Sequence, residues 1–219
     1  MTDGTSTDWK ESSLAHWYNQ NMRGDIGGYA ALFRFHAKDR VLDLGCGDGT
    51  LLSIAAEQGA AVTGVDISDT QLSLTQKALS GKENVLLIKK TLQEIDFPEN
   101  CFTKISIRKA IHHLTNDEKG KLIDKMHHWL APGGIVIIED MIFSFALHRV
   151  EENLPLIEKD ASLYYGEKWP SFKKAFFTTV YQELPCDLAQ MTHHLLFTGF
   201  HIKQIIQPVC FTSTIIAEK

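Results

Sequence analysis

One stretch of this 219-residue chain restricts its fold more than any other. The apolar run Val41-Leu42-Asp43-Leu44 opens directly into Gly45-Cys46-Gly47-Asp48-Gly49-Thr50. About twenty residues later a second run, Ala61-Val62-Thr63-Gly64-Val65, ends in Asp66. A strand that empties into a glycine turn, followed by a strand tipped with a carboxylate, is the plan of a pocket for a ribose-bearing ligand. Gly45 and Gly47 can take backbone angles closed to other residues and carry no Cβ, so a ligand can lie against the main chain there. The Asp66 carboxylate has two oxygens to offer two ribose hydroxyls, which makes it the sugar anchor of the pocket.

From Arg40 onward apolar runs alternate with amphipathic stretches, the pattern of a parallel sheet with helices on both faces. Strands are predicted at residues 41–44, 61–65, 84–88, 104–108 and 134–139, and helices at 49–58, 69–80 and 116–130. The last of these helices opens on Thr115-Asn116-Asp117-Glu118, a capping box, and Pro132-Gly133-Gly134 should stop it. A further helix at 187–198 precedes two strands, 200–207 and 210–217, with a turn expected at Gln207-Pro208. Before the core, residues 1–8 read as a polar disordered tail. Residues 9–37 read as a helical cap in two pieces, with Leu14, Trp17 and Tyr18 on one stripe and Tyr29, Leu32 and Phe33 on another, separated by a turn around Gly24–Gly28.

Residues 141–186 exceed the connection that such a core needs. They carry Phe143, Phe145, Tyr164, Tyr165, Trp169, Phe172, Phe176, Phe177 and Tyr181. These aromatics either build an apolar cover over a substrate or form a small hydrophobic core of their own.

The net charge of −5 and the scattered Lys and Arg pairs argue against a nucleic-acid backbone as partner. No apolar run approaches a membrane span and no signal peptide is visible, so a soluble, cytoplasmic protein is expected. Cys46, Cys101, Cys186 and Cys210 lie far apart, with no spacing that suggests zinc or redox work. The doublets His112-His113, His127-His128 and His193-His194 invite a metal reading. Adjacent residues of a helix point about 100° apart, however, so no metal site is expected from them.

The glycine turn lacks the third glycine of a dinucleotide fingerprint, having Thr50 there, and it carries an acidic residue, Asp43, inside the strand. In this it resembles motif I of the class I S-adenosylmethionine-dependent methyltransferases of small-molecule type. The resemblance continues through Gly64-Val65-Asp66-Ile67-Ser68, Asp96-Phe97-Pro98-Glu99-Asn100-Cys101-Phe102, Ile111-His112-His113-Leu114 and Leu130-Ala131-Pro132-Gly133-Gly134, so that residues 38–140 form a cofactor-binding core. It implies a Rossmann-like α/β fold: a doubly wound, seven-stranded, mostly parallel sheet closed by an antiparallel hairpin, with an N-terminal helical cap and an inserted aromatic segment. All 219 residues then form one methyltransferase domain.

Carried over residue by residue, the resemblance implies that Asp43, Gly45, Cys46 and Gly47 line the amino-acid part of S-adenosylmethionine. Asp66 holds the ribose, Ile67 flanks the adenine, and Gln71 stands near the nucleoside. Thr91 occupies a position where the family commonly has an acidic residue facing the adenine amine, so that contact passes to the Leu92 backbone or to Gln93. Thr103, after Phe102, is a second departure, at a position that supports the loop. Arg108 is counted with the cofactor set. Together with Lys109 it could also bind a carboxylate or phosphate of the acceptor, or else pair with Glu139 or Asp140 while Lys109 meets solvent. Arg23 is a further candidate for the cofactor's carboxylate.

Candidate catalytic groups are His112, His113 and Tyr18, with Glu139, Asp140 and Tyr164 behind them, and His112 is the ring expected to look outward. A general base is needed only where the acceptor must lose a proton. The implied function is methyl transfer to a small-molecule acceptor, anionic if Arg108 and Lys109 face it, with monomer or homodimer left open. The alternatives are a non-catalytic S-adenosylmethionine-binding domain and a nucleotide-dependent oxidoreductase.

Overall fold

The computed structural model describes residues 25–219. The tail, the first piece of the cap, Tyr18 and Arg23 lie outside the described residues. Seven strands form one sheet in the order β3-β2-β1-β4-β5-β9-β8. They are β1 (Arg40–Leu44), β2 (Ala61–Asp66), β3 (Val85–Lys89), β4 (Phe102–Arg108), β5 (Leu130–Asp140), β8 (His201–Val209) and β9 (Thr212–Glu218). The first five run parallel and β9 runs antiparallel to both β5 and β8. The expected doubly wound sheet with a terminal hairpin is the one observed. Strand order reverses between β1 and β4, which opens a crevice at their carboxyl ends.

Helices α1 (Ile26–Ala31), α2 (Thr50–Glu57), α3 (Asp69–Ala78), α4 (Asn116–Trp129) and α7 (Leu188–Thr198) belong to this core. The capping box at Thr115 forms as expected, with the Glu118 carboxylate returning to the Thr115 N–H at 2.8 Å. Helix α4 ends at Trp129, three residues before Pro132: Leu130 is already extended and begins β5. Leu122, Ile123, Met126 and Trp129 bury one face of α4 in the main core, beside Ile105, Ile107, Val136 and Ile138 of β4 and β5.

Two local expectations are corrected. The segment read as a turn around Gly24–Gly28 contains the start of α1, because the Asp25 carboxylate accepts the Gly28 N–H at 3.0 Å and caps the helix. The hairpin turns at Cys210-Phe211 rather than Gln207-Pro208. Pro208 lies within β8, at an irregularity of the ladder between Ile206 and Val209 where its missing N–H interrupts no regular pairing.

The segment after β5 folds as β6 (Ile142–Phe143), α5 (Leu154–Tyr165), α6 (Trp169–Gln182) and β7 (Cys186–Asp187), β6 pairing with β7. Phe143, Ile157, Ala161, Trp169, Phe176 and Val180 form a second core with Cys210 and Phe211 of the hairpin turn. Of the two readings of the aromatic segment, the structure bears out the small hydrophobic core.

Candidate active site

The Gly45 N–H donates to the Val65 carbonyl at 2.8 Å, which folds the turn after β1 back across the end of β2. Asp66, the last residue of β2, then accepts the Gly47 N–H through Oδ2 at 3.0 Å and the Ser68 N–H through Oδ1 at 2.9 Å. Each oxygen keeps a lone pair for a further donor. Burial pushes the Asp66 carboxyl above its usual range, with those N–H bonds opposing the rise. Gly45 and Gly47 sit at φ 74° and 55°. A Cβ on Gly45 would lie 2.7 Å from the Ala110 Cβ, whereas one on Gly47 would meet nothing within 4 Å among the described residues.

Both glycines line a cleft of about 470 Å³. It brings together Gly45, Gly47, Asp66, Ile67, Gln71, Thr91, Leu92, Gln93, Arg108 and His113, ten of the residues singled out from sequence. Asp43, Cys46 and His112 do not face it. Asp43 is buried beneath the turn, where desolvation raises its carboxyl to about 7 against the help of Ser106 and Arg108. The Cys46 side chain packs into the core beside Leu52 and Val62. A carboxylate pocket beside a cradle without Cβ atoms, opening at a switch point, fits a ribose-bearing cofactor.

Past the end of β4 the cleft continues along Lys109, Ala110, His113 and Leu114 to Gln182, Glu183 and Leu184. Arg108 donates to Glu139 at 2.7 Å and lies 5.3 Å from the Tyr29 ring centroid, so its pairing with Glu139 holds while it also lines the cleft. Lys109 lines the cleft as well, and burial lowers its ammonium to about 8. No aromatic residue of the 141–186 segment lines the cleft; that segment contributes only Gln182–Leu184. These three residues were missed from sequence. Neither spacing nor composition marks them, since only their long-range contacts bring them in: the Leu184 N–H donates to the His112 carbonyl at 2.8 Å, and the buried Lys119 ammonium donates to the carbonyls of both Leu114 and Leu184.

Ile111–His113 form a single turn of 3-10 helix rather than an α-helix. The two rings converge, with centroids 4.1 Å apart, so the angular argument against a shared ion does not apply to this doublet. His113 is the more exposed ring, its side chain 28% exposed against 10% for His112, which reverses the expected orientation. Asp140 is buried and accepts the N–H groups of Ala110 and Ile111 through Oδ2 at 2.9 and 2.8 Å, while its Oδ1 lies 2.5 Å from His112 Nδ1. On the other side His112 Nε2 is 3.2 Å from Glu183 Oε2. Burial disfavours a charged His112, but the Asp140 and Glu183 carboxylates outweigh it and raise the ring's pKa. Burial and the adjacent His112 charge push His113 the other way and keep it neutral. Glu139 is held by Arg108 and Thr214, and Asp140 by backbone N–H groups and His112.

Fold and site together define a Rossmann-like domain whose cleft at the carboxyl ends of β1 and β2 fits a nucleoside cofactor. Residues 41–134 match the profile of a methyltransferase domain. The phosphoethanolamine N-methyltransferase of Plasmodium falciparum is 34% identical over 102 residues, 46% of this chain and 38% of that one. A demethylmenaquinone methyltransferase of Clavibacter sepedonicus is 28% identical over 138 residues, 63% of this chain and 52% of that one. The chain thus spans about half the length of the curated relatives it matches. Among solved structures, a Haemonchus contortus phosphoethanolamine N-methyltransferase in complex with phosphomonomethylethanolamine and S-adenosylhomocysteine superposes with a TM-score of 0.71 at 17% identity, covering 99% of this chain and 60% of that one. Over residues 41–134 the chain is similar to the class I S-adenosylmethionine-dependent methyltransferases, and it shares the fold of their solved structures.

Proposed function

We propose that this chain transfers a methyl group from S-adenosylmethionine to a small-molecule acceptor by in-line displacement at the sulfonium. The observation that carries this reading is the Asp66 carboxylate, tied to the glycine turn and facing one cleft with Ile67, Gln71 and Thr91–Gln93. Bound S-adenosylmethionine supplies a methyl group already activated for attack, so the chain's own residues have to bind, align and exclude water. Asp66 accepts from the ribose hydroxyls, and Gly47 lets the backbone approach the ligand. Ile67 and Leu92 flank the base.

The acceptor occupies the stretch of cleft from Lys109 and His113 to Glu183. A ring kept neutral by burial is a weak base, so His113 is better suited to orienting an acceptor than to stripping its proton. Lys90, Arg108 and Lys109 on the same cleft favour an acceptor with an anionic group. The names of the phosphoethanolamine relatives are in keeping with that charge. The net charge of −5 speaks against a nucleic-acid substrate. Among the described residues no helix is long and apolar enough to cross a membrane. The four free thiols suit a reducing, cytoplasmic setting.

Calorimetry with S-adenosylhomocysteine tests the cofactor side, and radiolabelled methyl transfer into a metabolite extract tests the acceptor side. Heat of binding together with label in the small-molecule fraction is the expected outcome. Binding without any label would reduce the chain to a cofactor-binding module, and label confined to macromolecules would refute the acceptor class.

A further inference from the structure

We propose that His112, His113 and Glu183 form a binding site for a zinc-like divalent cation at the acceptor end of the cleft. The three side chains each offer a ligand atom, and those atoms all lie within 4.8 Å of one another. His112 Nε2 stands 3.2 Å from Glu183 Oε2, and His113 Nδ1 stands 3.8 Å from Glu183 Oε1. Nitrogen and oxygen ligands bound at about 2.0–2.2 Å in tetrahedral array are separated by roughly 3.3–3.5 Å, so side-chain shifts on the order of an ångström complete the set.

Two independent observations point to a ligand there. The Glu183 side chain is nine-tenths buried, and its Oε2 meets His112 Nε2 at 3.2 Å as an ion pair without a well-directed hydrogen bond. A buried carboxylate without a directed hydrogen bond can take a cation in place of the proton on the facing ring nitrogen. The second observation is Asp140. It holds His112 by Nδ1 at 2.5 Å and is itself anchored by the N–H groups of Ala110 and Ile111. A carboxylate that orients a histidine through one ring nitrogen and leaves the other to face further donors is the usual outer shell of a metal-binding imidazole.

Nitrogen and oxygen donors without a thiolate select zinc or its neighbours over calcium or magnesium. Two histidines and one glutamate are three protein ligands, which leaves a fourth position open. His113 and Glu183 line the cleft, so that position faces the acceptor. Ligation through one ring nitrogen of His113 leaves its second nitrogen to other partners.

The test titrates tag-free protein, stripped with a chelator, with zinc by calorimetry and with cobalt by visible absorption. Expected are uptake of one ion per chain, the intense bands of four-coordinate cobalt, and a loss of at least roughly a hundredfold in affinity in His113→Ala and in Glu183→Gln. The surface variant His193→Ala/His194→Ala should bind as the unaltered chain does. In the unaltered protein, zinc should also shift the His112 and His113 ring resonances, a readout that does not depend on any variant folding. No zinc uptake, or uptake equal in the unaltered chain and both ligand variants with those resonances unmoved, overturns the site. S-Adenosylhomocysteine binding is measured separately: zinc bound without it keeps the metal site and removes the methyl-transfer reading, and the reverse result does the opposite.

Discussion

The two glycines of the turn after β1 make different demands, and exchanging each for alanine separates folding from binding. Both sit at positive φ, 74° for Gly45 and 55° for Gly47, so a side chain at either costs about 1–2 kcal/mol in backbone strain. At Gly45 the new methyl group would also stand 2.7 Å from the Ala110 Cβ, a contact that the end of β4 must yield to accommodate. Overpacking of that kind adds about 1–3 kcal/mol. Gly45→Ala should therefore lose about 2–5 kcal/mol of stability in urea denaturation, and Gly47→Ala only about 1–2 kcal/mol. At Gly47 no atom of the described residues lies within 4 Å of the added carbon, and the residue lines the cleft, so the methyl group enters the space proposed for the cofactor. Gly47→Ala should stay folded and bind S-adenosylhomocysteine at least about tenfold more weakly, a cost near 1.4 kcal/mol. Equal stability losses in the two variants would refute the steric argument. Unchanged affinity in Gly47→Ala would refute the placement of the cofactor against the turn.

Three further expectations follow from the same geometry. Asp66→Ala removes a charge-assisted hydrogen bond worth about 1.5–3 kcal/mol, so calorimetry should show S-adenosylhomocysteine affinity falling by about tenfold or more; an unchanged dissociation constant contradicts the sugar-anchor role. Asp43, raised by burial from 3.8 to about 7, keeps its proton in the folded chain where the unfolded chain has lost it, so its contribution is full below the unfolded value and falls as pH rises through the folded one. Relative to Asp43→Asn, the unaltered chain should lose on the order of 2–4 kcal/mol of stability between pH 4 and 8, and parallel pH profiles in urea denaturation would remove the argument. Lys119→Met strips the ammonium from the Leu114 and Leu184 carbonyls and should speed hydrogen exchange of the Leu184 amide; exchange unchanged from the parent would show that the lysine does not hold that segment.

The sheet and the cofactor side of the cleft were legible in the sequence because their information is local. A strand, a turn and a helix cap occupy consecutive residues, and Gly45, Gly47, Asp66 and Ile67 fall into place once β1 and β2 pair in register. Asp43 was legible as part of the motif but not as a buried group, since its position depends on Ser106 of β4 above it. The departure at Thr103 has a structural account: its hydroxyl donates to Asp39 at 2.9 Å and accepts the Arg40 N–H at 3.0 Å, joining the starts of β1 and β4. Glu183 could not be read from sequence because it meets its partners across the fold, and nothing in Gln182-Glu183-Leu184-Pro185 distinguishes a cleft wall from a surface loop. The geometry of the His112-His113 doublet departs from the expected helical spacing for a related reason. The periodicity that sets neighbours 100° apart belongs to an α-helix, and Asp140 imposes a tighter turn by gathering the N–H groups of Ala110 and Ile111.

The 141–186 segment divides its labour in a way that can be measured. Its aromatic residues face the hairpin: Phe176 is 1% exposed, its ring centroid 4.9 Å from that of Phe211 at the β8–β9 turn and 5.3 Å from that of Trp169. Only Gln182, the last residue of α6, and the two residues after it reach the cleft, Leu184 being held by Lys119 and by the His112 carbonyl. Aromatic packing should therefore set how firmly the segment is attached, while Gln182–Leu184 should act on the acceptor. Phe176→Ala removes a fully buried ring and should cost about 3–5 kcal/mol in urea denaturation. With the cofactor against β1 and β2 as proposed, no aromatic of this segment touches it, so S-adenosylhomocysteine affinity, measured where the variant is still folded, should be unchanged. A fall in cofactor affinity that tracks the loss of stability would show that the aromatic core reaches the nucleoside pocket as well, and the division between attachment and recognition would fail.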